Sequence, residues 1–148
     1  MSIVPPPAPD PSESADSFGG RAFGVSERSL IAGTGIDVVH IERLAGMIER
    51  TPALLDRLLT PAERGLSDAS RAARVAAKEA VGKALGSPGE FSWQDVTVER
   101  AASGRPHLRL RGATLRAAEQ QEVEHLHLSL SHDGDVATAI VIAERGQS

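Results

Sequence analysis

The apolar positions fall into segments with two different periods. From Leu30 to Ile41 the run LIAGTGIDVVHI is rich in β-branched residues and too short for much helix, so it reads as a buried strand. The period then lengthens. Ile41, Leu44 and Ile48 share one face of a helix predicted over 42–50, which Thr51-Pro52 breaks and which resumes over 53–59. Thr60-Pro61-Ala62-Glu63 has the form of a capping box, with Thr60 at the N-cap, Pro61 at the first helical position and Glu63 reaching back. Ser67 to Ser70 offers another N-cap region, and an Ala-rich helix is predicted over 71–85, ending at Gly86.

The second half turns to strands. Residues 94–100 and 106–111 are joined by a loop through Ser103-Gly104-Arg105, and a short helix is predicted over 113–122. Over 123–132 the alternation puts Leu126, Leu128 and Leu130 on one side and His125, His127, Ser129 and Ser131 on the other. Asp133-Gly134 reads as a two-residue hairpin turn, and 136–143 returns as a buried strand. The order predicts an α+β domain, a largely antiparallel sheet with packed helices. Upstream, VPPPAPDPSESADS holds five of the nine prolines. Residues 1–29 are therefore expected to be a disordered Pro/Ser-rich extension and 30–146 the folded domain.

Composition narrows the picture. The 148 residues suit one domain, and the absence of cysteine excludes disulfides and a thiol nucleophile. No apolar run reaches the roughly 20 residues of a spanning helix. The start of the chain has no basic flank followed by an apolar stretch, so a cytoplasmic location is expected. Sixteen Lys and Arg against twenty Asp and Glu leave a net charge of −4, which argues against bulk binding to nucleic acid. Aromatic residues make up only 3%, so the core must be built from Leu, Ile, Val and Ala, and burial against identical subunits would help it.

Four positions stand out chemically. Asp37 lies inside an apolar strand, where a carboxylate is costly without a partner; it is either salt-bridged at a strand end or a cation ligand. Glu79 and Lys83 are i and i+4 on the long helix and share a face, the arrangement of an ordinary surface pair. However, Ala76, Ala77, Ala80, Gly82, Ala84 and Gly86 make that helix slim enough for something to approach its backbone. The chain's two lysines, Lys78 and Lys83, both sit here against fourteen arginines elsewhere; Lys78 points about 100° away from Glu79. His132 ends the alternating strand with the parity of the leucines, as either a sheet-rim histidine or a phosphate donor or acid/base group at a site mouth. His125-x-His127 could hold a metal, but no third ligand is apparent.

Together, GIDVVHIERL at 35–44, RVAAKEAVGKALG at 74–86 and HLSLSHDGDVATAIVIAE at 127–144 resemble the short 4′-phosphopantetheinyl transferases, and among them the holo-[acyl-carrier-protein] synthases. LLTPAE at 58–63 and GRPHLRLRG at 104–112 match more weakly, in the right order. The resemblance covers roughly 31–144. It implies transfer of the phosphopantetheine arm of coenzyme A to a serine of apo acyl carrier protein, with release of adenosine 3′,5′-bisphosphate, in support of fatty acid or polyketide biosynthesis. It implies Mg²⁺ held by Asp37 and Glu79, Lys83 near the phosphates, and His132 at the nucleotide end of coenzyme A. It implies a homotrimer with active sites between subunits. Glu63 matches a family glutamate, although the capping box already accounts for it. Acyl carrier proteins are acidic, and the resemblance places carrier docking on the first helix, at Arg43, Met47 and Arg50.

Overall fold

The computed structural model describes residues 21, 23, 28–89 and 91–147. Most of the 1–29 extension lies outside these. Strand β1 (Ile31–His40) runs directly into helix α1 (Ile41–Arg50), followed by α2 (Ala53–Leu58) and the long α3 (Asp68–Ala84). A 3₁₀ turn at Trp93–Asp95 leads to β2 (Val96–Arg100), β3 (Pro106–Leu110), α4 (Gly112–Gln120), β4 (Val123–Asp133) and β5 (Val136–Arg145). The expected α+β class holds, but the strands form two antiparallel sheets, β1-β5-β4 and β2-β3. Among the described residues no helix is long and apolar enough to cross a membrane.

Period two sets the larger sheet. Ala137, Ala139, Val141 and Ala143 of β5 are buried under α3, and the register places Asp37 opposite Ala139 and Val39 opposite Ala137. On the other side of β5, Leu130 pairs with Ala139 and His132 with Ala137. Asp37 and His132 therefore belong to the helix-covered face of the sheet, two strands apart. The opposite face leaves Ile36, Val38 and Ile140 exposed, with Ile36 directly across from Ile140.

The slim surface of α3 is filled by β1 itself. An added Cβ on Gly33 would lie 2.0 Å from the Ala84 carbonyl oxygen, and one on Gly35 would lie 1.9 Å from that of Ala80. Strand and helix backbones thus meet without intervening side chains. Gly35→Ala must push them apart. We expect a loss at or above the upper end of the about 1–3 kcal/mol usual for overpacking, read as a lower thermal midpoint.

Two predicted boundaries shift for physical reasons. Asp133 pairs with Val136, so the hairpin loop is Gly134-Asp135, with Gly134 at φ 55°. This frees Asp135, whose carboxylate accepts the Glu42 amide at 2.9 Å and caps α1 from a distant part of the chain. The helix predicted to start at Thr60 does not form: 61–65 are turns, and α3 begins at Asp68 with Ser67 as N-cap, its Oγ accepting from the Ser70 amide.

Candidate active site

Asp37 emerges from β1 beside the outer flank of α3, and it is not an uncompensated carboxylate. The Lys83 ammonium lies 3.2 Å from Asp37 Oδ1 and donates to the Ile36 carbonyl at 3.0 Å. Glu79, one turn before Lys83, completes the cluster. Burial pushes its carboxyl above the usual carboxylate range, the nearby charge of Asp37 pushes it further, and Lys83 partly offsets both. Two carboxylates facing one ammonium leave a surplus of negative charge. Oxygen donors of this kind suit a hard divalent cation that completes its shell with water and substrate phosphate. Among the described residues no group of three His, Cys, Asp or Glu could hold a metal. His127 is bonded to Glu144 at 2.7 Å on the exposed face of β4.

The fold does not bring His132 to this cluster. It lines a cavity of about 230 Å³ with Ser70, Ala73, Arg74, Arg100, Leu130 and Ser131. On α3, Arg74 and Lys83 are nine residues apart, about 180° around the helix. Asp37, Glu79 and Lys83 hence occupy one flank of α3, and Arg74 and His132 the other. Arg74 is buried, and its Nε has no hydrogen-bond partner. Burial and the charge of Arg100 lower its pKa, against an opposing pull from Glu63. A buried guanidinium with an unpartnered Nε, lining a cavity with a second arginine and a histidine, is chemically suited to an anion. Sequence reasoning missed Arg74; its signal was a cation in an otherwise Ala-rich helix, one turn before Lys78.

Lys78 and Glu63 form a third cluster, wholly inside. The ammonium contacts Glu63 Oε1 at 2.7 Å and donates to the carbonyls of Leu58 at 2.7 Å and Trp93 at 3.1 Å. Glu63 Oε1 also accepts the Thr60 amide and hydroxyl, each at 2.9 Å, and Oε2 accepts the Val98 amide at 3.0 Å. The reach back from Glu63 to Thr60 occurs as the capping box requires, but no helix follows it. The glutamate's second task, pairing with Lys78, was not legible from local sequence.

Arg43, Met47 and Arg50 are all exposed on α1, while Leu44 of the same helix is buried. Spacings of four and three put the three side chains on one outward face. That helix begins four residues after Asp37.

These features have counterparts in known proteins. The sequence profile described as the 4′-phosphopantetheinyl transferase superfamily matches residues 33–141. The chain belongs to this superfamily of enzymes. Within it, the chain is 51% identical over 116 residues to the holo-[acyl-carrier-protein] synthase of Beutenbergia cavernae, covering 78% of this chain and 100% of the relative. It is 51% identical over 115 residues to that of Frankia alni, covering 77% and 98%. The fold matches the holo-[acyl-carrier-protein] synthase of Neisseria meningitidis with a TM-score of 0.71 and 32% identity, over 78% of this chain and 99% of that one. It also matches the Helicobacter pylori synthase in complex with coenzyme A with a TM-score of 0.67 and 30% identity, over 75% and 99%.

Proposed function

We propose that the protein transfers the 4′-phosphopantetheine arm of coenzyme A to a serine of an apo acyl carrier protein, releasing adenosine 3′,5′-bisphosphate. The observation that carries this reading is the convergence of Asp37, Glu79 and Lys83 in a chain whose relatives bear the name of that activity. The serine oxygen bonds to the phosphorus next to pantetheine, and the bridging oxygen leaves with the nucleotide. Asp37 and Glu79 are suited to hold Mg²⁺, which when bound would offset charge on the pyrophosphate. The exposed Lys83 ammonium can leave Asp37 for a phosphate oxygen, and the serine proton passes to one of the carboxylates or to a water they hold. Incubating the protein with coenzyme A, Mg²⁺ and an apo carrier protein tests the whole reading: the carrier should gain the mass of the arm, and no gain overturns it.

Arg74 and Arg100 supply positive charge, and His132 a ring nitrogen for hydrogen bonding, for the anionic nucleotide end. Helix α3, about 10 Å across, stands between them and the carboxylates. One coenzyme A engaging both sets would do so between copies of the chain. The exposed Ile36, Val38 and Ile140 face supports association, and we place it in a homotrimer. Trimers mixed from Glu79→Gln and His132→Ala chains are then expected to regain part of the activity that each lacks alone. A mixture as inactive as its components would show that both groups act within one protomer.

Carrier docking falls to the outward face of α1. A carrier seated there would bring its serine toward Asp37. We expect Arg43→Glu to weaken carrier affinity about tenfold or more at low salt and to flatten its salt dependence, while coenzyme A affinity holds. Steady-state titration of each substrate at two ionic strengths checks this, and an unchanged carrier KM with an unchanged salt slope would place docking elsewhere.

A further inference from the structure

We propose that the buried Glu63–Lys78 pair is a positioning device that sets the rotation and height of α3, and thereby where Glu79 stands against Asp37. This rests on the transferase reading of the Asp37, Glu79 and Lys83 cluster. Neither Glu63 nor Lys78 is placed near substrate: their side chains are 1% and 0% exposed.

The argument starts from what holds α3 on each side. Toward β1, glycine meets the helix backbone at Ala80 and Ala84. That contact sets the distance between strand and helix. The alanine surface offers little that interlocks against rotation, because small side chains make shallow ridges. On the buried side the situation is reversed. One ammonium on α3 finds three acceptors, and they come from three separate places: the end of α2, the 3₁₀ turn and the Thr60–Glu63 turn. Glu63 is in turn tied to β2 through the Val98 amide. Every one of these bonds is directional, and together they link α3 to four other segments of the chain.

Lys78 and Glu79 are neighbours, about 100° apart on the helix. Any turn of α3 that moves the Lys78 ammonium off its acceptors swings the Glu79 carboxylate with it. An apolar pair of similar volume could stabilise the fold as well or better. It would leave the helix free to settle by packing alone, and the spacing of two carboxylates meant for one cation would settle with it. A misplacement near 1 Å at a reacting group is enough to cost on the order of 10²-fold in rate.

The test separates position from stability. In Glu63→Gln/Lys78→Met the methionine fills the lysine stem. The glutamine keeps an acceptor for one backbone amide and turns its own NH₂ toward a carbonyl that the lysine leaves. Lys78→Arg is measured in parallel, since it keeps the charge but spreads it over a planar fork. Three quantities are read: thermal midpoint, Mn²⁺ affinity of the protein without coenzyme A, and kcat against KM in transfer to an apo carrier protein. In whichever variant retains a midpoint above the assay temperature, we expect kcat to fall about 10–100-fold, Mn²⁺ affinity to fall about tenfold, and the KM for coenzyme A to stay near wild type. A folded variant with wild-type kcat and wild-type Mn²⁺ affinity would overturn the proposal and leave the pair a fold-stabilising feature only. If the wild-type protein adds no arm to the carrier, the transferase reading fails, and Mn²⁺ affinity decides the placement: a drop in the variants supports it, while equal affinity or no binding by wild type overturns it.

Discussion

Glu79→Gln is expected to lower phosphopantetheinyl transfer by about 10³-fold or more, the scale on which a charged group acting on a phosphoryl-transfer transition state is felt, while raising the thermal midpoint of the metal-free protein at neutral pH. Both effects come from the same geometry. The Glu79 carboxyl is pushed above its usual range first by burial and second by Asp37. Its folded pKa therefore lies above the unfolded one. The stability it confers is fully present below the ordinary carboxylate range and is lost as pH rises through the raised value. Glutamine imitates the protonated form at every pH, so the gain in the variant should be absent in acid and emerge on moving toward neutrality. The same substitution removes a ligand charge, which transfer requires. A pH series of melts without metal, alongside transfer rates with Mg²⁺, checks the pair of effects. A midpoint that falls at neutral pH would show that the ionised carboxylate is stabilised by partners other than Lys83. Asp37→Asn is not expected to share the gain. The Lys83 ammonium at 3.2 Å already compensates its charge, the salt-bridged alternative of the sequence reading.

Lys78→Ala is expected to destabilise the fold far more than Lys83→Ala. It leaves Glu63 as a buried carboxylate without its countercharge and strips two carbonyls, those of Leu58 and Trp93, of a donor. Removing one partner of a buried pair costs about 3–5 kcal/mol. For a domain of this size that is a fall in thermal midpoint on the order of 10–20 °C. Burial lowers the Lys78 pKa and the Glu63 carboxylate works against that; the three acceptors around the ammonium favour the charged form. Sequence position alone predicts that Lys83→Ala loses more activity than Lys78→Ala, because Lys78 points away from Glu79. The structure adds a difference in stability. Lys83 sits half in solvent, so its loss acts on transfer, whereas Lys78 is inside, so its loss acts first on the fold and on transfer only through the placement of Glu79. Denaturation curves of the two alanine variants decide this, and equal stabilities would contradict it.

Much of the molecule was legible locally because its causes are local. Period two in 123–132 and the β-branched run before Ile41 marked strands, Pro52 marked the break between α1 and α2, and the i, i+4 spacing placed Glu79 and Lys83 on one face. The combination of GIDVVHIERL with RVAAKEAVGKALG identified the family, and the family implied that Asp37 and Glu79 belong together. What no local pattern could show were the pairings made across the chain. Lys83 meets Asp37 over a separation of 46 residues, Asp135 caps a helix 93 residues upstream, and Lys78 pairs with the Glu63 whose motif announced a helix start. His132 likewise carried the right parity, but only the sheet order β1-β5-β4 under α3 put it on the flank opposite the carboxylates. Hydrophobic period is written in consecutive residues, whereas a buried charge takes whatever partner the packed elements bring within bonding distance, and that is decided only when the helix lies down on the sheet.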